Sequence, residues 1–184
     1  MILRCTARML AVLGVRPAAL VATAPSDDDW YLNLLWIERR KCLLLTHAGT
    51  LFPVFVADVR KADLLPIGAY VVGLVEEHLR SEGLAADTLG RLDPEDVHLA
   101  KTASRSILGV LNDAAVHARY RIEAMGGIDQ AEVVFLNRFL RRALHNRGGE
   151  YVTPLDLVAQ RLSDGAGAEV VPRVEAIRRR THSV

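Results

Sequence analysis

The segment from Lys101 to Asp113 combines cations, hydroxyl groups and a carboxylate where a predicted strand leads into a predicted helix. Its first half contains the side chains that could hold an anion: Lys101, Thr102, Ser104, Arg105 and Ser106. Backbone N–H groups at a helix start carry partial positive charge and favour phosphate or carboxylate ligands. The alternative is that Ser104 only caps the helix while both cations are solvated or paired. The sequence leaves these two interpretations open.

Polar residues continue along the same predicted helix, where Asn112 and Asp113 complete the candidate ligand-binding set. Asp113 and His117 lie one turn apart and could act as an acid–base or metal pair. Surface ion pairs are common at this spacing and contribute only about 0.3–0.5 kcal/mol, so we prefer that interpretation. Gly109 permits close approach of a ligand or of another backbone, at a helix-propensity cost of about 1 kcal/mol relative to alanine.

Two basic clusters form a secondary candidate surface for nucleic acid. They are Arg39, Arg40 and Lys41 in a predicted hairpin turn, and Arg138, Arg141 and Arg142 near the end of a predicted helix, where His145 and Arg147 extend the second cluster. Such cations could contact phosphates. A charged turn also keeps a protein soluble, and cations near a helix end complement the helix dipole. His47, in the following turn, is expected to be exposed and without a role.

The composition narrows the classes of function. The chain has 184 residues, of which 51% are hydrophobic, and a formal charge of +1, so no global field attracts nucleic acid or membrane. It contains no GxSxG, HExxH, P-loop or dinucleotide-binding motif, and we predict no cofactor and no metal site. Cys5 and Cys42 lie in apolar runs without CxxC spacing, which is typical of reduced thiols in the cytoplasm. No run approaches the ~20 apolar residues of a membrane span.

The elements that position these residues follow from hydrophobic periodicity and turn signals. Strands are predicted over residues 1–5, 30–37, 41–46, 50–56 and 95–101, and helices over 66–79 and 104–125 and from Asp129 and Thr153 onward. Pro53 cannot donate to a ladder, so the strand that contains it is expected at a sheet edge. The predicted fold is α+β: an antiparallel sheet made of the N-terminal strand, a three-stranded meander and one further strand, packed by several helices with one long central helix.

Asn33 is the single polar residue in an otherwise apolar predicted strand. A buried amide without hydrogen bonds costs roughly 1–3 kcal/mol, so it needs partners. We expect those partners within the segment from Lys101 to Asp113, which would join strand and helix in one polar site.

The sequence also predicts how the two ends of the chain are organised. The N-terminal arginines and the small residues 21–24 resemble a secretory leader, but the apolar run of residues 9–15 is short, and we prefer a retained strand. Residues 1–163 are predicted as one domain. Residues 164–184 are predicted as a flexible basic tail whose apolar side could bind a protein partner or a second copy of the chain.

Three segments carry a resemblance to a known family. They read MILRCT at residues 1–6, NLLWIERRKCLLLT at 33–46 and KTASRSILG at 101–109, the last followed by Asn112 and Asp113. Over about residues 1–125 the chain resembles a family of small uncharacterised bacterial proteins. The resemblance implies a bacterial, cytoplasmic protein that retains its N-terminal strand, and it implies no particular activity.

Two functions remain open. The first is a binding module that recognises a phosphate-bearing ligand, either nucleic acid or a nucleotide, or a protein partner, through the segment from Lys101 to Asp113. The alternative is a small metal-independent enzyme, such as a ribonuclease in a toxin or defence setting, that uses Lys101, Arg105 and either Asp113 or His117 around a scissile phosphate. Because no general base is evident, binding ranks first. A histidine close to Arg105 would reverse the order.

Overall fold

The computed structural model describes residues 1–147 and 149–165, which form a five-stranded sheet with helices on both faces and a separate hairpin. The strands of the main sheet are β1 (Ile2–Cys5), β2 (Trp30–Ile37), β3 (Arg40–His47), β4 (Pro53–Val56) and β5 (His98–Lys101), and those of the hairpin are β6 (His145–Arg147) and β7 (Glu150–Val152). The helices are α1 (Ala7–Leu13), α2 (Ile67–Ser81), α3 (Arg105–Ala124), α4 (Val133–Arg142) and α5 (Pro154–Gly165). The predicted α+β class is confirmed. The predicted tail lies outside the described residues from position 166 onward.

The sheet is mixed rather than purely antiparallel. Its strand order is β4-β3-β2-β1-β5, with the meander β2-β3-β4 antiparallel and β1 parallel to both β2 and β5. A parallel neighbour requires a crossover connection, and α1 with its following loop supplies one between β1 and β2. The N-terminal strand therefore lies inside the sheet, where Leu3 is opposite Trp30 on one side and Leu99 on the other.

Both faces of the sheet are covered, which explains the nearly continuous apolar run of β2. Alternate residues of β2 and β3 point to opposite faces: Trp30, Leu32 and Leu45 join a core with α1, α2 and α5, whereas Tyr31, Leu35 and Leu44 join a core with α3 and α4. The long helix α3 lies against β2 and β3. The stripe of α3 next to this contact surface is less buried, and its residues line the cavities of the candidate functional site.

A side chain from α4 forms hydrogen bonds with the free edge of strand β4. Asn137, which is buried, accepts a hydrogen bond from the Phe55 N–H at 2.8 Å and donates one to the Phe55 carbonyl at 2.8 Å. The amide thus replaces a missing neighbouring strand at one residue. Pro53 begins this strand, and its predicted edge position is confirmed. Among the described helices, none combines the length and apolar character needed to cross a membrane.

Candidate functional site

A cleft of about 510 Å³ opens at the amino end of α3. Its polar lining comes from three separate parts of the chain: Ser26 and Asp27, Ser104 and Ser106, and Asn146 and Arg147. Tyr31 also lines it, together with apolar side chains that include Leu51, Ile107 and Val110. A concave site of this size, with apolar walls and a few polar groups, is suited to a small ligand.

The start of α3 is built from its own hydroxyl groups and a contact with the sheet. Ser104 caps the helix by accepting a hydrogen bond from the Ile107 N–H at 3.4 Å, and its Oγ lies 2.9 Å from Ser106 Oγ. The Ser104 N–H donates to the hydroxyl of Tyr31 at 3.2 Å. The N–H groups of Arg105 and Ser106 have no acceptor within the described part of the chain. These two donors remain available to an anion.

The opposite wall is organised by the turn after β3. The Gly49 N–H donates to the Asp27 carbonyl at 2.8 Å, and Arg147 Nη1 donates to the Gly49 carbonyl at 2.6 Å. A Cβ at residue 49 would lie 2.8 Å from the Asp27 carbonyl oxygen, so only glycine permits this approach. The turn therefore holds both a guanidinium and the loop that carries a carboxylate at the cleft.

Arg4 connects the chain segments that form the two walls of the cleft. Its guanidinium is buried and bonds to Asp29 Oδ2 at 2.5 Å, to the Ala24 carbonyl at 2.6 Å and to the Lys101 carbonyl at 3.1 Å. Asp29 Oδ2 also accepts from the Ser26 N–H at 2.9 Å. One buried ion pair thus anchors the loop of residues 24–29 beside the end of β5, from which α3 begins.

A larger cavity of about 850 Å³ adjoins the cleft and shares Asp27 and Arg147 with it. Its charged lining consists of the carboxylates of Asp27, Asp87, Glu150 and Asp164 and the guanidiniums of Arg147 and Arg161. This excess of negative charge disfavours an anion, whatever the volume. The smaller cleft is therefore the better candidate for a phosphate.

A third cavity, of about 260 Å³, lies farther along α3 and contains Asp113, His117 and His145. His145 is buried, whereas Asp113 and His117 are exposed. Burial lowers the pKa of His145, with His117 acting in the same direction and the Asp113 carboxylate opposing both. The imidazole of His145 is therefore uncharged at neutral pH and able to accept a proton. Within residues 1–147 and 149–165, no three histidine, cysteine or acidic side chains are arranged to hold a metal ion.

The fold places the predicted ligand-binding residues in different parts of the structure. Ser104 and Ser106 line the cleft, and Asp113 lies in the third cavity. The other members lie outside both: Lys101, Arg105 and Asn112 are exposed, and Thr102 is half-buried. A Cβ at Gly109 would meet nothing within 4 Å, so close approach does not explain that glycine.

The expectation that Asn33 bonds to the segment from Lys101 to Asp113 is wrong. Asn33 is half-buried, and its Oδ1 accepts a hydrogen bond from Thr6 Oγ1 at 3.1 Å. The parallel pairing of β1 with β2 is the reason, because it places Thr6, directly after β1, beside Asn33. Asn33 therefore supports the connection between β1 and α1 rather than the cleft.

The arginines of the predicted basic cluster on α4 also lie in different environments. Arg141 is buried, donates to Glu82 Oε1 at 2.8 Å and lies over the ring of Phe52. It therefore cannot take part in a surface patch, because α4 turns this side chain toward the carboxylate at the end of α2. Arg142 donates to the same carboxylate at 3.2 Å, which leaves Arg138 as the exposed cation of the three.

The hairpin cluster consists of paired and exposed cations. Arg40 forms ion pairs with Asp58 at 3.1 Å and with Asp129 at 2.5 Å. Arg39 is exposed at the tip, and the ammonium of Lys41 lies 5.3 Å from the centroid of the Trp36 ring. Arg40 is thus already neutralised by protein carboxylates, which weakens the hairpin as a phosphate-binding surface.

His47 is buried, contrary to the expectation of an exposed turn residue. Strand β3 extends to this position, so its ring packs edge-on against Trp30, with 5.1 Å between the centroids. Its Nδ1 accepts a hydrogen bond from the Thr50 N–H at 3.2 Å. Burial, assisted by the charge of Arg161, lowers the pKa of His47 to about 3.

Sequence reasoning missed Tyr31, and it assigned His145 and Arg147 only to the basic cluster near the end of a predicted helix. Tyr31 alternates with core residues, and nothing local distinguishes its hydroxyl from that of a structural tyrosine. His145 and Arg147 precede two consecutive glycines, a hairpin signal that could have placed them on one short ribbon. Their approach to α3 is a long-range contact, which local patterns do not encode.

Comparison with known proteins adds one relationship. A family model described as Domain of unknown function (DUF6933) matches residues 2–157. No curated protein matches the chain. The matched range includes the cleft residues from Ser26 to Arg147 and the cluster of Asp113, His117 and His145.

Proposed function

We propose that this chain, which belongs to the family of the domain of unknown function DUF6933, binds the phosphate of a nucleotide or nucleic acid in the cleft at the amino end of α3. One observation carries the proposal: Ser104, Ser106 and Arg147 line the same cleft. Two unpaired backbone N–H groups lie at the same helix end. Charge-assisted hydrogen bonds to such donors are about twice as strong as neutral ones.

The remaining polar groups suit the rest of a nucleotide. The Tyr31 hydroxyl accepts from the Ser104 N–H, so its own hydrogen is free for a ligand acceptor. The Asp27 carboxylate can accept hydrogen bonds from a ribose hydroxyl or a base amino group. Its negative charge also opposes a second phosphate at this position, which favours a monophosphate or a single phosphodiester.

The roles of the cations differ from those suggested by the sequence. Arg147 lines the cleft and is held in place by the Gly49 carbonyl. Arg105 and Lys101 are exposed and lie outside it. We therefore propose Arg147 as the direct ligand of the phosphate and Arg105 as a contributor only to the surrounding potential.

Binding measurements on matched variants test the proposal. Nucleoside monophosphates and a labelled single-stranded oligonucleotide are titrated into the wild type and into Arg147→Ala, Ser106→Ala and Arg105→Ala. Loss of a hydrogen bond to a charged group costs about 1.5–3 kcal/mol, so the first two variants should bind roughly 10- to 100-fold more weakly. Arg105→Ala, the control, removes a cation outside the cleft lining and should change the affinity by less than about threefold.

The proposal fails if neither ligand binds the wild type. It also fails if Arg105→Ala weakens binding while Arg147→Ala and Ser106→Ala leave it unchanged, since the exposed helix face would then be the site. Circular dichroism spectra of the three variants must match that of the wild type.

The cellular setting is part of the same proposal. The resemblance noted above supports a bacterial origin, and two free, buried thiols, Cys5 and Cys42, support a reducing compartment such as the cytoplasm. Burial raises the pKa of Cys5 to about 12, so this thiol is unreactive. Residues 1–163 as one domain, and the segment after it as a contact for a partner or a second copy, remain predictions from the sequence.

A further inference from the structure

The candidate phosphate cleft and the histidine cavity are neighbours along α3, and we refer to the two together as the groove. Val110 and Asn146 line both cavities, so the two lie next to each other. One stripe of α3, carrying Ser106, Val110, Asp113 and His117 in sequence, borders the whole groove, and the β6 residues Asn146 and Arg147 face it. A ligand longer than a mononucleotide can therefore occupy both cavities at once.

We propose that His145 and His117 cleave single-stranded RNA bound along this groove, by moving protons to and from the ribose oxygens of one phosphodiester. The inference rests on the proposed phosphate site, which would hold a neighbouring phosphate of the same strand. Along α3, Ser106 and His117 are separated by 11 residues, a rise of roughly 16 Å. A substrate that reaches both is an oligonucleotide.

The two imidazoles differ in environment as such a reaction requires. His145 is buried, and its ring forms no hydrogen bond with any described residue, so a ring nitrogen is free to accept a proton. His117 is exposed and lies one turn after Asp113, so its ring is open to solvent and to a ligand in the same cavity. The charged groups that face His145 across the cavity are Asp113 and His117, both from α3.

The proposed step is an internal transesterification. His145 takes the proton of a ribose 2′-hydroxyl while that oxygen attacks the adjacent phosphorus and forms a new P–O bond. The bond from phosphorus to the 5′-oxygen of the next nucleotide breaks, and the imidazolium of His117 gives its proton to that oxygen. The products are a 2′,3′-cyclic phosphate and a free 5′-hydroxyl, and proton exchange with solvent restores both histidines.

Exposed apolar surface beside the cavity suits nucleobases. Val116 and Leu144 line the cavity and are about two-thirds exposed, at 65% and 66%. Tyr120 follows Val116 by one turn of α3 and is exposed as well. Stacking of a base on such a ring is tolerant of sequence, because every base has an aromatic face. These residues give the groove a surface for bases next to its polar surface for phosphates.

The test measures binding and cleavage separately on the full chain. A labelled single-stranded RNA reports the cleavage rate, and the DNA of the same sequence, which has no 2′-hydroxyl, reports the dissociation constant. His117→Asn and His145→Asn should each lower the cleavage rate at least about 100-fold, as expected for loss of a general acid or base. Binding of the DNA should change by less than about threefold. His98→Asn, an exposed histidine on the edge strand β5, is the matched control and should cleave like the wild type.

Three results decide the outcome. Cleavage of RNA by the wild type to a 2′,3′-cyclic phosphate, lost in the two variants that still bind DNA, supports the inference. Binding without cleavage, or cleavage that persists in both variants, overturns it and leaves the proposed phosphate site intact. Absence of binding to either polymer or to nucleotides overturns both. Because His117 is exposed, its variant decides the matter if His145→Asn does not fold.

Discussion

Replacement of His47 should remove much of the acid sensitivity of this fold. The pKa of this buried imidazole is lowered from 6.5 to about 3, whereas in the unfolded chain it keeps its ordinary value. Between pH 6.5 and about 3 the unfolded chain therefore binds a proton at His47 that the folded state does not bind. Stability from this group is complete above pH 6.5 and is lost as the pH falls toward 3.

The magnitude follows from the two pKa values. At pH 4.5 the unfolded imidazole is protonated and the folded one is not, a gap of two pH units below the unfolded pKa. At about 1.36 kcal/mol per unit, the wild type loses about 2.7 kcal/mol through His47 between pH 8 and pH 4.5. Other groups add their own pH dependence, so only the difference from a variant isolates this term.

The variant is His47→Asn, whose side-chain oxygen can still accept from the Thr50 N–H. Urea unfolding followed by circular dichroism gives the free energy of unfolding at pH 8, 6.5, 5.5 and 4.5. The variant should be less stable at pH 8, because it loses ring packing against Trp30, yet lose about 2.7 kcal/mol less on acidification. His98→Asn, at an exposed position, should follow the wild type within about 1 kcal/mol.

Parallel curves for the wild type and His47→Asn would refute this reasoning. An NMR titration of the wild type provides a second check that requires no variant. The ring signals of His47 should show no protonation at pH 4.5, and a midpoint near 6.5 would contradict the burial argument.

Three further predictions concern stability and use the same unfolding assay. Arg141→Ala should cost about 1.5–3 kcal/mol, because the buried Glu82 carboxylate loses its hydrogen bond from Arg141 and keeps the one from Arg142, whereas the exposed neighbour Arg138→Ala should change stability by less than about 0.5 kcal/mol. Asn137→Leu should cost about 2–4 kcal/mol, since the N–H and carbonyl of Phe55 both lose their partner, and equal stability would show that water replaces the amide. Gly109→Ala should stabilise the exposed face of α3 by up to about 1 kcal/mol, and destabilisation would reveal a contact at that position.

The amino-acid sequence by itself determined the strands of the main sheet, the long helices and the class of the fold. Hydrophobic periodicity predicts the long helix α3, and Ser104 and the glycines after Met125 mark its ends. Alternation and turn residues predict the meander, with Pro53 at an edge. These features depend on interactions within a few residues along the chain, which is why local patterns are sufficient.

The tertiary structure decided which residues form the site. The pairing of β1 gave Asn33 a partner in Thr6, and the packing of α4 buried Arg141 against Glu82. His47, expected at the surface, became part of the core because β3 continues through it.

The cleft is the clearest example of a feature that the sequence does not reveal. Ser104 and Arg147 line it together although 43 positions separate them in the chain. The hydrophobic pattern specifies which side of an element is buried, but it does not specify which elements meet. Long-range packing makes that choice, and it alone brings β6 to α3 and creates a groove with hydroxyls at one end and two imidazoles at the other.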